Sequence, residues 1–530
     1  MAAQASSTAA LSLLWSLLVA IWKKTLGKLF FRDDRHQQDH MPPGPRPLPV
    51  IGNLHQLLGR PPHQALLDLS KRHGPLMFLR LGCVPTFVAS SAEAAREFLH
   101  THDLVFASRP RYAVARELTY NFADIMWAPY GDHWRHLRKV CSLELFSGKR
   151  VDSFERLRKE EISSALATVE EAARASSVVD LRAVLSDITL YSILRMATSQ
   201  EFGGKKKQLS RFERRVKETI EHAVEMIGAL NVGDYLPSLR WMDLQGYGRR
   251  ARKLHALQDA FFQSLIDRKR QYQGRGGAGA GGVDDLLDVL LASQEKNALT
   301  DDTIKAVIQD VIGAGSDTAW VTCEWAMAEL LRHPTAMRRA QREIDAVVGR
   351  DRVVEESDLP GLNFLHAIVK ETLRLHPPSP VILYESTMPC VSSAGYRIAQ
   401  GARLLVNVYA ISRDANSWER ALDFWPERFE EGAKKGVDVR GQNFELIPFG
   451  SGRRICPGMG MGLRMVQCVL ARLLQGFDWE KVGEIDMREK FGLAMPKLVP
   501  LQAIPCPRRS SNFCLNSKLN PCASLKRKVA

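Results

Sequence analysis

The ten residues Phe449-Gly450-Ser451-Gly452-Arg453-Arg454-Ile455-Cys456-Pro457-Gly458 constrain this chain more than any other stretch. Glycine reaches backbone conformations closed to other residues, so Gly450 and Gly452 permit a tightly turned loop whose backbone can approach a flat ligand. Residues 459–474 then read as a helix, which puts Cys456 just ahead of a helix N-terminus. Backbone N–H groups and the helix dipole at such a place favour a thiolate over a thiol, and a thiolate is a metal ligand. Phe449 can pack against the loop. Arg454 is placed to pair with an anionic group of whatever the loop holds.

The rest of the pattern is mainly α-helical with a small β-rich part. Residues 301–331 form a long apolar-rich helix that the two glycines Gly313 and Gly315 are expected to interrupt. Residues 363–375 are amphipathic and end before Pro377 and Pro378, while residues 76–81 and 404–408 have the short apolar look of strands. Nothing before the last residues reads as a domain linker, so most of the 530-residue chain can be one large domain. Its nine cysteines are scattered, with no CxxC pair and no metal-finger spacing, which fits a reducing compartment. Six basic and no acidic residues in the last stretch, 508–530, contribute to the net charge of +14. No basic stripe with interleaved aromatics is present, which excludes nucleic acid as a partner. A membrane surface or an acidic protein accounts better for the sign.

The N-terminus points to a membrane. Residues 1–22 carry no charge, and 9–22 are nearly all apolar. As a helix, such a stretch rises ~33 Å, about the thickness of the hydrocarbon layer. Lys23, Lys24, Lys28 and Arg32 follow it, and nothing basic precedes it, so the body is expected on the cytosolic side. A cleaved secretory signal would need a basic region before the apolar run. The expected division is therefore an anchor over 1–22, a basic and proline-rich hinge over 23–49, a catalytic body over 50–507, and a basic, disordered tail over 508–530. Residues 273–282 (QGRGGAGAGG) read as a mobile surface loop.

The cysteine loop matches Phe-Gly-x-Gly-x-Arg-x-Cys-x-Gly throughout, and the chain resembles the cytochrome P450 family there and elsewhere. Ala314-Gly315-Ser316-Asp317-Thr318 is similar to the family's oxygen-activating helix. Glu371 and Arg374 share a helix face at i and i+3, and Pro426-Glu427-Arg428-Phe429 follows them. Trp134 and Arg138 match the family's Trp-x-x-x-Arg. The resemblance runs from the proline elbow to about residue 507 and implies the cytochrome P450 fold preceded by a transmembrane helix. It implies haem b with Cys456 as axial ligand of the iron. Phe449, Trp134, Arg138 and Arg454 would line or hold that cofactor, the last three through its propionates. Asp317 and Thr318 would manage protons and oxygen, and Glu371, Arg374 and Arg428 would form a structural network. Two departures stand out. Many relatives carry a basic residue in the strand after Pro380, where Tyr384 stands here, and Ala319 replaces a common Ser or Thr.

A member of that family inserts one oxygen atom from O2 into a C–H bond of a substrate. No GxGxxG follows a strand, so electrons would come from NADPH through a separate flavoprotein reductase, at the endoplasmic reticulum membrane. Arg135, His136, Lys139, Lys149, Arg150 and Arg453 form a candidate basic face for docking it. Pocket walls are expected from residues 111–125, 311–314, 380–383 and 494–497, mostly apolar. Residues 440–457 and 486–496 resemble plant phenylpropanoid and flavonoid ring hydroxylases, which makes a phenolic substrate the expectation. In-chain fatty-acid and terpenoid hydroxylases share some of that wording. A haem–thiolate isomerase or dehydratase, or a non-catalytic haem protein, would not need the Asp317-Thr318 pair.

Overall fold

The computed structural model describes residues 40–199, 211–274, 285–294 and 299–508. The expected anchor, most of the hinge, most of the glycine-rich loop and all but the first residue of the tail lie outside these. Among the described residues no helix is long and apolar enough to cross a membrane.

Helices dominate. The longest, Asp301–Arg332, has 32 residues and is capped by Thr300, whose side chain accepts from the Thr303 N–H, with Asp301 and Asp302 in its first turn where the dipole favours acids. It is buried along most of its length and packs against Leu181–Thr198 and Met459–Gly476, in one core that also takes in Asn363–Leu375. Leu181–Thr198 is apolar nearly all round, as a helix surrounded by others must be.

The expected interruption at Gly313 and Gly315 does not occur: the helix runs through both. A Cβ on Gly315 would lie 3.0 Å from Ile193 Cδ1, and one on Gly313 would lie 3.7 Å from Val224. Gly315 therefore serves close helix packing. Packing of Leu181–Thr198 against Gly315 holds the ladder closed where glycine alone would weaken it.

The β part sits to one side. One four-stranded sheet takes the order Leu76–Leu81, Val84–Ala89, Arg403–Val406, Ile382–Glu385. Its central pair is parallel and its outer pairs are antiparallel. The first strand falls where the pattern placed it. The expected strand 404–408 is shorter, because Asn407 caps a helical turn, Val408–Ile411, by accepting from the Ala410 N–H. The proline-rich segment docks on this sheet, with the Phe78 N–H donating to Pro43 O at 3.0 Å. A three-stranded sheet, Val179–Asp180, Gln502–Pro507 and Phe477–Lys481, closes the C-terminal end.

Candidate active site

A cavity of ≈ 330 Å³ lies between the long helix, the cysteine loop and the Ile382–Glu385 strand. Cys456, Phe449, Arg454, Trp134, Arg138, Asp317 and Thr318 all line it. These residues come from three separated stretches of chain, and the fold brings every one of them to the same cavity.

The cysteine loop is built around its glycines. Gly450 and Gly452 have φ of 73° and 67°, and a Cβ on Gly452 would sit 2.3 Å from Leu99 O, so no other residue fits there. The Cys456 N–H donates to Phe449 O at 3.0 Å, which folds the loop back on itself, and helix Met459–Gly476 follows. Burial pushes the Cys456 thiol up, against the opposing pull of the Gly458 N–H and Arg138. A bound metal would deprotonate a coordinating thiol outright.

Beside the sulfur the cavity wall is crowded with cations. Arg454 donates to Ala107 O and Ala128 O at 2.5 Å each, and its guanidinium lies 4.2 Å from the Trp134 ring centre. Burial, with Arg109 and Arg138 nearby, lowers its pKa to about 9. Arg138 donates to Ile455 O at 2.7 Å, and the Trp134 indole N–H donates to Ile125 O at 3.0 Å. Arg109 stacks on Tyr384 at 4.7 Å and donates to Leu383 O, while its Nε and the Tyr384 hydroxyl are buried with no hydrogen-bond partner among the described residues. Asp124 is the carboxylate facing Arg454, and burial with Asp310 beside it pushes Asp124 toward its neutral form. Three guanidinium groups, Arg454 buried and Arg109 and Arg138 half-buried, with so little compensation fit a flat dianion, and a soft sulfur ligand beside them fits its iron. The residues present therefore fit haem.

Arg109 and the Asp124–Asp310 pair were not singled out by sequence. Arg109 supplies a cation next to Tyr384, in the strand that lacks one. Its only sequence signal is that missing base, since an arginine in a loop is ordinarily solvated. Asp310 Oδ2 accepts from the Ile125 and Met126 N–H groups at 3.0 Å each and so ties the long helix to the loop over the cavity. Burial raises the Asp310 pKa to about 7.

On the long helix, the Thr318 hydroxyl donates to Ala314 O at 2.8 Å. Asp317 accepts from the Trp320 indole N–H at 3.3 Å, and burial raises its pKa to about 6. Apolar lining comes from Ile125, Val311, Val381 to Leu383 and Ala494, as expected, and also from helix Arg211–Gly228 through Ile220, Ala223 and Val224.

Away from the cavity, Glu371 binds Arg374 through two contacts of 2.8 Å and Arg428 at 3.2 Å, all three buried. The remaining guanidinium N–H groups reach the carbonyls of Ser412, Ala421, Asp423, Glu419 and Arg420. Of the candidate basic face, Lys139 and Lys149 are exposed, whereas Arg135 pairs with Asp132 and Arg453 with Asp103 at 3.1 Å.

Comparison with known proteins agrees with this geometry. The family model described as "Cytochrome P450" matches residues 42–501. A trimethyltridecatetraene synthase of Zea mays is 44% identical over 504 residues, covering 90% of each chain. A flavonoid 3′-monooxygenase of Petunia hybrida is 40% identical over 509 residues, 94% of this chain and 97% of its own. A zebrafish cytochrome P450 solved with progesterone superposes with a TM-score of 0.72 at 26% identity, over 84% of this chain and 100% of that one.

Proposed function

Since this chain belongs to the cytochrome P450 family of haem-dependent monooxygenases, we propose that it hydroxylates the aromatic ring of a phenolic plant metabolite, most simply a flavonoid. The observation that carries this reading is the 40% identity to flavonoid 3′-monooxygenases over nearly the whole chain, including one from Arabidopsis thaliana. The mostly apolar cavity is suited to a flat hydrophobic ring system.

Bound haem supplies the dioxygen chemistry. Cys456 would hold its iron, and Arg109, Arg138 and Arg454 would hold its carboxylates. Thr318 keeps its own proton on Ala314 O, so its oxygen lone pairs face the cavity and can order a water or receive a proton there. With a pKa of about 6, Asp317 exchanges its proton near neutrality, as a relay group should. The carboxylates of Glu221 and Glu225, exposed on helix Arg211–Gly228, raise its pKa further. Trp320 fixes the carboxylate's orientation.

Electrons reach this site from NADPH through a separate reductase that docks on the basic face carrying Lys139 and Lys149. Residues 1–22 anchor the enzyme in the endoplasmic reticulum membrane with its body in the cytosol. The sequence supports both readings. Oxidation of a terpenoid is the second reading, favoured by the identity to the trimethyltridecatetraene synthase and to a dimethylnonatriene synthase of Zea mays at 42%.

The deciding experiment reconstitutes the full chain with a plant NADPH-dependent reductase and offers flavonoids and acyclic terpenoids in parallel. Ring-hydroxylated product that needs both O2 and reductase supports the proposal. Turnover of terpenoids alone overturns it in favour of the second reading.

A further inference from the structure

Two side-chain amides line the cavity with polar atoms left without a hydrogen-bond partner among the described residues. Gln258, on helix Tyr247–Gly274, is 3% exposed, and neither its Oε1 nor its Nε2 is bonded. Gln309, on the long helix, has a buried Oε1 in the same condition. Burying amide groups unpaired is unfavourable, and native structures seldom do so without a reason. The polar neighbours are already engaged. Asp259 takes Lys305 at 2.7 Å and the Tyr120 hydroxyl at 3.1 Å, and the Thr119 hydroxyl donates to Ala115 O at 2.8 Å. Around the amides the lining from helix Arg211–Gly228 is apolar, with Ile220, Ala223 and Val224. Gln309 stands nine residues before Thr318 in the helix, which is about 14 Å along its axis. The two amides, from different helices, thus line the same cavity, with Gln309 well removed along its helix from Thr318.

We propose that Gln258 and Gln309 determine specificity by hydrogen-bonding a phenolic hydroxyl at the end of the substrate remote from the reacting carbon. This rests on the phenolic reading above and sharpens it. An amide offers both a donor and an acceptor, so it matches a phenolic hydroxyl, which also both donates and accepts. A hydrocarbon filling the same space leaves both amides unpaired. A site built to hydrogen-bond a group rejects the analogue that lacks it far more strongly than an apolar pocket rejects an extra group.

The test is a spectral titration of the ferric holoenzyme with naringenin, a trihydroxyflavanone, and with the parent flavanone, which has the same skeleton without the hydroxyls. Farnesene serves as an acyclic hydrocarbon. Wild type is compared with Gln258→Leu, Gln309→Leu and the volume-conserving Gln258→Met, each checked for loaded haem by its reduced CO spectrum. Naringenin should bind wild type more tightly than flavanone. Its dissociation constant should rise about tenfold in each variant, which is about 1.4 kcal/mol. Flavanone should bind the variants as well as or better than wild type. Unchanged naringenin affinity in the loaded variants, or an equal loss for both flavanones, overturns the assignment of the amides while leaving the phenolic reading intact. A wild type that responds to farnesene and to neither flavanone overturns the phenolic reading, and this inference with it.

Discussion

Glu371→Gln is expected to destabilise the fold severely, although the side chain keeps its size and lies outside the cavity. In the native protein the Glu371 carboxylate is fully buried and accepts from Arg374 Nε and Nη2, Arg428 Nε and the Trp425 N–H. Glutamine removes the negative charge and turns one acceptor into a donor that faces a guanidinium. Two buried arginines then share no counter-charge. Removing one partner of a buried ion pair costs roughly 3–5 kcal/mol, because the surviving charge is stranded. Charge-assisted hydrogen bonds are each worth about 1.5–3 kcal/mol, but they do not add within one network. Against a total stability of about 5–15 kcal/mol, the loss is roughly a fifth or more of what holds the native state. The effect should also reach the cofactor. Arg374 and Arg428 tie down the carbonyls of residues 412–423, and the chain runs from there into the loop that carries Cys456. The assay is twofold: the fraction of purified chain with the thiolate spectrum of its reduced CO complex, and the thermal unfolding midpoint of that fraction. Glu371→Asp, which keeps the charge, should be the milder variant. A Glu371→Gln protein that loads haem fully and unfolds within about 1 kcal/mol of wild type would refute the reasoning.

Three further outcomes follow from the site. Thr318→Ala should keep its haem but lose coupling by roughly the low end of the ~10²–10⁴-fold typical of general acid help, since water can replace a hydroxyl; the readout is product formed per NADPH oxidised, and an unchanged ratio would make Thr318 ordinary packing. Asp310→Asn should flatten the pH dependence of stability. The native pKa of about 7 lies above the ordinary 3.8, so the folded state binds the extra proton between them, and this contribution is full below about 4 and lost as pH rises through 7. The comparison is of thermal midpoints across that window, where equal slopes for variant and wild type would sink the idea. Arg109→Leu should weaken haem retention while sparing the thiolate spectrum of whatever haem is bound, measured as the rate of haem transfer to a scavenging apoprotein; wild-type retention would mean that Arg109 only braces Tyr384.

Legibility from the sequence followed the physics of each feature. The cysteine loop was readable because its glycines and cysteine are tied together by local backbone geometry, which a short motif records in full. The Glu371–Arg374 pair was equally readable at i and i+3, and Arg428 fell into place only through a known family pattern, because nothing local says that a 3-10 turn fifty-odd residues later will reach the same carboxylate. Gly313 and Gly315 misled. A glycine pair in a helix signals either a break or a close approach, and only the positions of Ile193 and Val224 decide between them. Arg109, Gln258 and Gln309 gave no usable signal, since a polar residue becomes unusual only once it is known to be buried. Function in this chain is therefore most visible where it is local, and least visible where burial creates it.

The same burial explains why fold and cofactor belong to one energetic unit. Arg109 and Arg138 both have their pKa values lowered by desolvation, and Arg454 carries the added repulsion of the other two. Asp124 does little to relieve them, because its own burial beside Asp310 favours the protonated form. Burial likewise disfavours the charged form of the Cys456 thiol, which a coordinated metal would deprotonate. Every one of these penalties has the sign that a metal-bearing dianion reverses: the carboxylates answer the guanidiniums, and the metal answers the thiol. Binding such a group to the native state alone raises stability by mass action, so the site's electrostatic cost is met by the ligand it selects. A polypeptide that placed neutral residues at these positions would fold more comfortably by itself, and would have no means of holding the cofactor that its reaction requires.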